Sequence, residues 1–494
     1  MYPRISQRNV NLFSTISILV FSTLSNLYLT PFFIEYAGIE GLAVIRVAYT
    51  IPLYVGLISL ALMASFSRFF VVALQENSES TEEASSVIST GLFSLLVFFT
   101  VLLIPVFVLC FYLLDGISNT ASLMYFYMYL YTAISTLAVI FTLPYYAINR
   151  QGTYNFNKIL CLFLQTLLII IWFPNENEFS VIGLSFFISS IVSLLYSLYV
   201  FRSYQASSNI KVSISYFNLS KLKAMLNMSK WTFLESSGTL LLFTVDLLLV
   251  VYLLGKAIGG QYSIFVQLLT AFLAVSKALG GVFAPKILSL YAKKEFKALE
   301  VLITRSVLFI GVSITIPMSY IGSYPDFILG LWLNESYALV NNVISYSYII
   351  LPVALCTSSL PYFFSAYLRI KVPAVATLLL GIFHLAIILI SAKYFEDTIF
   401  AIALSISVML LIKNVGFYVF YTERMSDFKK ANIIKVIVFL FVLSITLNIT
   451  YRGLIDYLDT EFSTGVILMG LVCSIMACFI AVMFEKKILR SSVS

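Results

Sequence analysis

Apolar residues along this chain do not alternate with polar ones at the spacing of a half-buried strand or a surface helix. They come in runs of roughly 20, divided by short polar stretches. Fourteen such runs fall near residues 10–33, 43–66, 87–113, 123–147, 159–173, 180–200, 231–254, 261–284, 303–323, 341–366, 373–392, 398–421, 432–451 and 463–484. In hydrocarbon an unpaired backbone amide or carbonyl costs several kcal/mol, and runs of this length pair their own backbone only as helices. A barrel would need alternating segments of about 10 residues. The pattern therefore predicts an all-α polytopic membrane protein of about 14 transmembrane helices.

Composition agrees. Of 494 residues, 61% are hydrophobic and 11% charged, against roughly 25% charged in a soluble domain; soluble, disordered and fibrous classes are excluded. Arg4 and Arg8 precede the first run, which shows no small-residue cleavage pattern, so a retained first helix is expected. Cys110, Cys161, Cys356, Cys473 and Cys478 all lie inside apolar runs, where thiols act as small packing groups.

A net charge of +7 would hint at nucleic acid in a soluble protein, but its distribution points to lipid and to no nucleic-acid partner. With the N-terminus on the cytoplasmic side, alternate loops hold 24 of the 30 Lys and Arg; only Lys256, Lys393 and Arg452 fall opposite, and Arg46, Lys277 and Lys413 fall within spans. That asymmetry is the positive-inside rule and puts both termini in the cytoplasm. The opposite loops collect acids such as Glu35, Asp115, Asp326, Glu396 and Asp459. An acidic stretch at residues 75–85 reads as a solvated turn.

The longest inner loop, residues 202–230, carries Lys211, Lys221, Lys223 and Lys230 and separates six spans from eight. It divides the chain into an N-lobe (1–201, spans 1–6), a cytoplasmic linker (202–230), a C-lobe (231–421, spans 7–12) and a terminal part (422–494, spans 13–14 and a cytoplasmic C-terminus). Spans 7–12 would then repeat spans 1–6 in parallel. One local echo fits: span 1 exits through Tyr36–Leu42 and span 7 through Leu254–Gln261, both glycine-rich. The longest outer loop, about Gly322–Val340, is too small for a catalytic domain.

Enzyme chemistry is scarce. One histidine and buried cysteines without metal spacing offer no metal site, and Gly255-Lys256 lacks the rest of a P-loop. No cofactor is expected. Charge at membrane depth, costing roughly 2.5–3.5 kcal/mol per residue, is the informative signal: Arg46, Glu235, Asp246, Lys277, His384 and Lys413. Glu235 and Asp246 are eleven residues apart, so on one continuous helix they share a face to within about 20°. Glu235 could pair with Lys277 on the next span. Asp246 could hold a proton or sodium ion, or pair with Lys277 or Lys413. Arg46 and Lys413 could snorkel, or with Lys277 form a cationic chamber attractive to phosphate. His384 is expected to hydrogen-bond a neighbouring helix. The tyrosines of Tyr125–Tyr131 suit an interfacial aromatic belt.

Three stretches carry a family resemblance. Asn11–Leu42 (NLFSTISILVFSTLSNLYLTPFFIEYAGIEGL) resembles the opening of bacterial O-antigen and capsular polysaccharide repeat-unit flippases, members of the MOP exporter superfamily. Gly260–Glu295 (GQYSIFVQLLTAFLAVSKALGGVFAPKILSLYAKKE) is similar to their eighth helix and basic loop, and Ile328–Leu339 (ILGLWLNESYAL) to their outer loop before helix 10. The resemblance implies a MATE-like pair of six-helix bundles with a C-terminal helical hairpin, in a bacterial inner membrane. It implies alternating access and a cargo of undecaprenyl-pyrophosphate-linked oligosaccharide moved from the cytoplasmic to the periplasmic leaflet. It further implies substrate binding by Arg46 and Lys277, which the cationic-chamber reading extends to Lys413, and ion coupling at Asp246, which the shared acidic face extends to Glu235, with H+ or Na+ as the ion and other polysaccharide assembly proteins as partners. The competing readings are a MATE-like multidrug antiporter, which usually has twelve spans, and a glycan polymerase, which would need a large outer loop that is missing.

Overall fold

The computed structural model describes residues 7–75, 80–113, 121–147, 150–176, 178–335, 337–395, 397–425, 428 and 430–458, and among them every regular element is helical. The first five are α1 (Gln7–Gln75), α2 (Ser80–Val108), α3 (Ser122–Ala147), α4 (Gln151–Glu176) and α5 (Phe179–Ser208). Then come α6 (Leu219–Phe243), α7 (Val245–Leu254), α8 (Lys256–Ala292), α9 (Phe296–Ser323) and α10 (Pro325–Leu333). The last six are α11 (Ala338–Leu355), α12 (Leu360–Ala366), α13 (Lys371–Tyr394), α14 (Thr398–Leu411), α15 (Tyr418–Met425) and α16 (Lys430–Leu458), with π-helical turns at Leu109–Leu113 and Ile412–Phe417. Twelve segments are long and apolar enough to cross a membrane. The first, on α1, carries two of the expected runs, parted where Gly38 leaves helical geometry (φ 70°, ψ 177°). Thirteen of the fourteen runs thus fall on described helices; the run 463–484, with Cys473 and Cys478, lies outside the described residues. The chain is a multi-pass membrane protein.

Lipid-facing and interior helices separate by burial. In α2 only 22% of the most apolar window is buried, and Val97, Val101, Ile104 and Val108 form an exposed face at helical spacing. In the α11–α12 segment 72% of the most apolar window is buried, so it lies inside the protein.

Two compact units make up the chain: residues 1–240 with 255–260, and 241–254 with 261–494. In the first, α5 lies against α3 and α4, and α1 packs on α2, α3 and α4. The tyrosine run of α3 departs from the expected belt: Tyr125 and Tyr129 are buried, and the Tyr129 hydroxyl donates to the Phe99 carbonyl on α2. The i, i+4 face they share points into the bundle. Many hydroxyls here are satisfied by their own helix; Ser185, Ser189, Ser190 and Ser197 of α5 donate to Val181, Phe186, Phe187 and Ser193 carbonyls.

The stretch after α5 is held down. Backbone N–H groups of Lys211, Ser213 and Asn218 donate to Ser85 Oγ (2.9 Å), Ser89 Oγ (3.2 Å) and Thr90 Oγ1 (3.0 Å) on α2. Lys221 completes the attachment by an ion pair with Glu83, an acid in the first turn of α2 where the helix dipole favours it.

In the second unit α16 packs on α9 and α11. Its Val436, Leu440 and Leu447 join one hydrophobic cluster with Ile303, Val307 and Phe363. Ser323 bonds Asn448, and Tyr324 donates to the Tyr451 carbonyl. Both glycine-rich exits hold a glycine in the left-handed region, Gly38 at φ 70° and Gly255 at φ 93°, a conformation costly to any residue with a Cβ.

Candidate functional site

Charges inside a membrane persist where the backbone or neighbouring dipoles support them, and broken helices provide such places. The run 231–254 is broken: α6 ends at Phe243 and α7 begins at Val245. Asp246 sits in the first turn of α7, fully buried, where free N–H groups and the positive end of the helix favour a carboxylate. Its Oδ2 accepts from the Tyr262 hydroxyl of α8 at 2.6 Å and its Oδ1 from the Leu247 N–H at 2.8 Å. The carboxylate is therefore held by a tyrosine and a helix end rather than by Lys277 or Lys413. The one-face argument for Glu235 and Asp246 assumes one continuous helix, and the helix is interrupted at Thr244 between them. Glu235 is half-buried on α6.

A second break separates α11 from α12 at residues 356–359. The freed end of α11 is served by side chains from two directions. Ser276 of α8 donates to the Leu355 carbonyl at 2.7 Å and meets Ser358 Oγ at 2.8 Å, and Asn414 of the π-helical turn donates to the Ala354 carbonyl at 2.7 Å. Ser306 of α9 bonds Ser359 at 2.7 Å. Lys277 and Lys413 are the immediate chain neighbours of Ser276 and Asn414, so two predicted cations stand on elements tied to consecutive carbonyls of one helix C-terminus. A helix C-terminus favours positive charge. Lys277 is exposed. Lys413 is buried with its ammonium 5.5 Å from the Tyr418 ring centroid, so it does not snorkel.

In the first unit Arg46 lies on α1 beyond Gly38 and is buried; a guanidinium nitrogen donates to Thr30 Oγ1 at 2.6 Å, and the group lies 5.6 Å from the Tyr49 ring centroid. It points inward and does not snorkel. His384, fully buried on α13, has Nδ1 2.9 Å from Ser405 Oγ on α14, the helix-to-helix bond the sequence suggested.

The helpers Thr30, Tyr262, Ser276, Ser405 and Asn414 were not legible as site residues. One signal was present: Pro361, which opens α12, marks the second break. The first has no proline or glycine beside it.

No family model matches the chain. It is 22% identical to the uncharacterized membrane protein EpsK of Bacillus subtilis (strain 168) over 437 residues, 87% of this chain and 86% of that protein. Among solved structures it resembles the lipid II flippase MurJ in an inward closed conformation (TM-score 0.66, 14% identity, 97% of this chain and 99% of that one). It also resembles an inward-facing multidrug resistance MATE transporter of the MOP superfamily (TM-score 0.61, 15% identity, 84% and 98%). The fold is shared with these two structures. A MATE transporter of Vibrio cholerae, VcmN in the bent form, aligns at TM-score 0.58 and 15% identity over 85% of this chain and 98% of that one.

Proposed function

We propose that this protein is a flippase for undecaprenyl-pyrophosphate-linked oligosaccharide repeat units, carrying them from the cytoplasmic to the periplasmic leaflet of a bacterial inner membrane by alternating access. The observation that carries the reading is the extent of the two likenesses. The MurJ alignment takes in 97% of this chain and the MATE alignments 84–85%, a difference about as long as two membrane helices with their turns. A chain with spans beyond the MATE core is the expectation for a lipid-linked glycan carrier.

The chemistry fits that cargo. A glycan with a pyrophosphate cannot cross hydrocarbon, because each polar group would lose water without a partner. Arg46, Lys277 and Lys413 supply positive charge to the pyrophosphate, while the polyprenyl tail stays in lipid. Moving about two negative charges outward from an inside-negative face gains roughly 4–5 kcal/mol per 100 mV. Asp246 and Glu235 are assigned to ion coupling, with both termini in the cytoplasm.

The test is sidedness in proteoliposomes containing this protein alone. A labelled undecaprenyl-pyrophosphate oligosaccharide should become accessible to a membrane-impermeant reagent on the far leaflet. Lys277→Ala should abolish that movement, and surface glycan in cells, at unchanged protein abundance. No movement of the lipid, with export of organic cations instead, would favour a MATE-like antiporter.

A further inference from the structure

The tautomer of His384 follows from its partner. Ser405 has one hydroxyl proton, and that proton is given to the Ile402 carbonyl at 2.7 Å. With that proton so placed, the serine oxygen 2.9 Å from His384 Nδ1 accepts, which assigns the ring hydrogen to Nδ1 and leaves Nε2 its lone pair. Nε2 is buried and has no hydrogen-bond partner among the described residues. A bare basic nitrogen in a fully buried ring is uncommon in a folded protein and calls for an occupant.

The surroundings narrow what that occupant is. Helix α13 packs against α14, α7 and the π-helical turn Ile412–Phe417. Helix α14 brings no charged group. From α7 come Asp246 and the exposed Tyr252, and from the turn comes Lys413, lying on Tyr418. On α13 itself the charged groups are Lys371 and Lys393 at its ends. Three crossings separate α7 from α13, so the two run in the same direction. Asp246 precedes the end of α7 by eight residues and His384 the end of α13 by ten. At 1.5 Å per residue these are about 12 and 15 Å of depth. The one buried acid of α7 and the one histidine of the chain thus stand at similar distances from the ends of two helices that pack on each other.

We propose that His384 is a proton-binding site, with Nε2 as the acceptor and Asp246 as the counter-charge across the α7–α13 contact. A proton from water adds to the Nε2 lone pair, one N–H bond forms, and the ring becomes a cation with both nitrogens donating; no electrons are transferred. A sodium ion is a poorer occupant, since a lone imidazole supplies one soft donor where sodium takes several oxygens. Insofar as the proton drives transport, the inference rests on the flippase reading and names H+ as the coupling ion.

The single histidine makes the test unambiguous. Full-length protein carrying 15N-histidine in nanodiscs shows one pair of ring nitrogens by NMR. The expected result is the Nδ1–H form at high pH, protonation of Nε2 as pH falls, and about tenfold weaker proton binding in Asp246→Asn. An Nε2–H form, a ring that does not titrate, or a titration unmoved by Asp246→Asn would each overturn the proposal. His384→Asn keeps a donor for Ser405 but has no counterpart of Nε2. In proteoliposomes it should flip the glycan lipid without the pH dependence of the unaltered protein, and retained pH dependence would also count against the proposal. Titration without any flipping would leave the proton site standing and remove the flippase reading; flipping with a silent ring would do the reverse.

Discussion

Removing the Tyr262 hydroxyl should show how strongly the break before α7 depends on it. Tyr262→Phe deletes a 2.6 Å bond to a fully buried carboxylate and leaves Asp246 with backbone N–H donors alone, those of Leu247 and of Asp246 itself. A hydrogen bond to a charged group contributes about 1.5–3 kcal/mol, and a buried acceptor left without its donor falls toward the upper end. Asp246→Ala removes the acceptor, stranding the tyrosine hydroxyl in apolar surroundings at about 1–3 kcal/mol. With both gone neither group is stranded, so the double variant should lose less than the two singles together. A double-mutant cycle from unfolding titrations in mixed micelles should give a coupling of at least about 1 kcal/mol, and about half as much where Asp246 is uncharged. Additivity to within about 0.5 kcal/mol would mean that the hydroxyl and the carboxylate act independently, and the account of how an acid is held at this depth would fail.

Two further outcomes follow from packing. A Cβ at Gly260 would lie 2.0 Å from the Ile39 carbonyl oxygen, a backbone atom that cannot swing away. Gly260→Ala should therefore cost about 1–3 kcal/mol and lower the thermal midpoint in detergent, whereas Gly453→Ala, with nothing within 4 Å, should leave it unchanged; equal midpoints would refute the close approach. Replacing Ser85 and Thr90 by Ala leaves the Lys211 and Asn218 N–H groups without their α2 acceptors, each worth about 0.5–1.5 kcal/mol. Limited proteolysis should then cut within 209–218 faster, and an unchanged cleavage rate would show that the stretch is not held by these hydroxyls.

The helices were legible because hydropathy is a property of long windows. The breaks were not, because each turns on a few residues. Thr244 parts α6 from α7 with no proline or glycine beside it, so nothing in the sequence contradicted the continuous helix that the shared face of Glu235 and Asp246 assumed. The intramembrane charges could be picked out by their cost, whereas their supports could not: Thr30, Tyr262, Ser276 and Ser405 are neutral hydroxyls of kinds scattered through every span. Tyr125 and Tyr129 were assigned to an interface because their run lies at a helix end. Spacing told that they share a side but not which side meets α2.

Ser185 and Ser190 of α5, bonded to carbonyls one turn back on their own helix, carry a mechanical consequence. Whereas Ser189 and Ser197 also accept from Cys161 and Asn157 of α4, a hydroxyl like that of Ser185 or Ser190 asks nothing of the helix opposite, so surfaces can slide apart there without tearing a bond between them. The same oxygen keeps lone pairs ready for solvent if the slide lets water in. Such a face is dry when shut and wettable when open, at little cost in either posture.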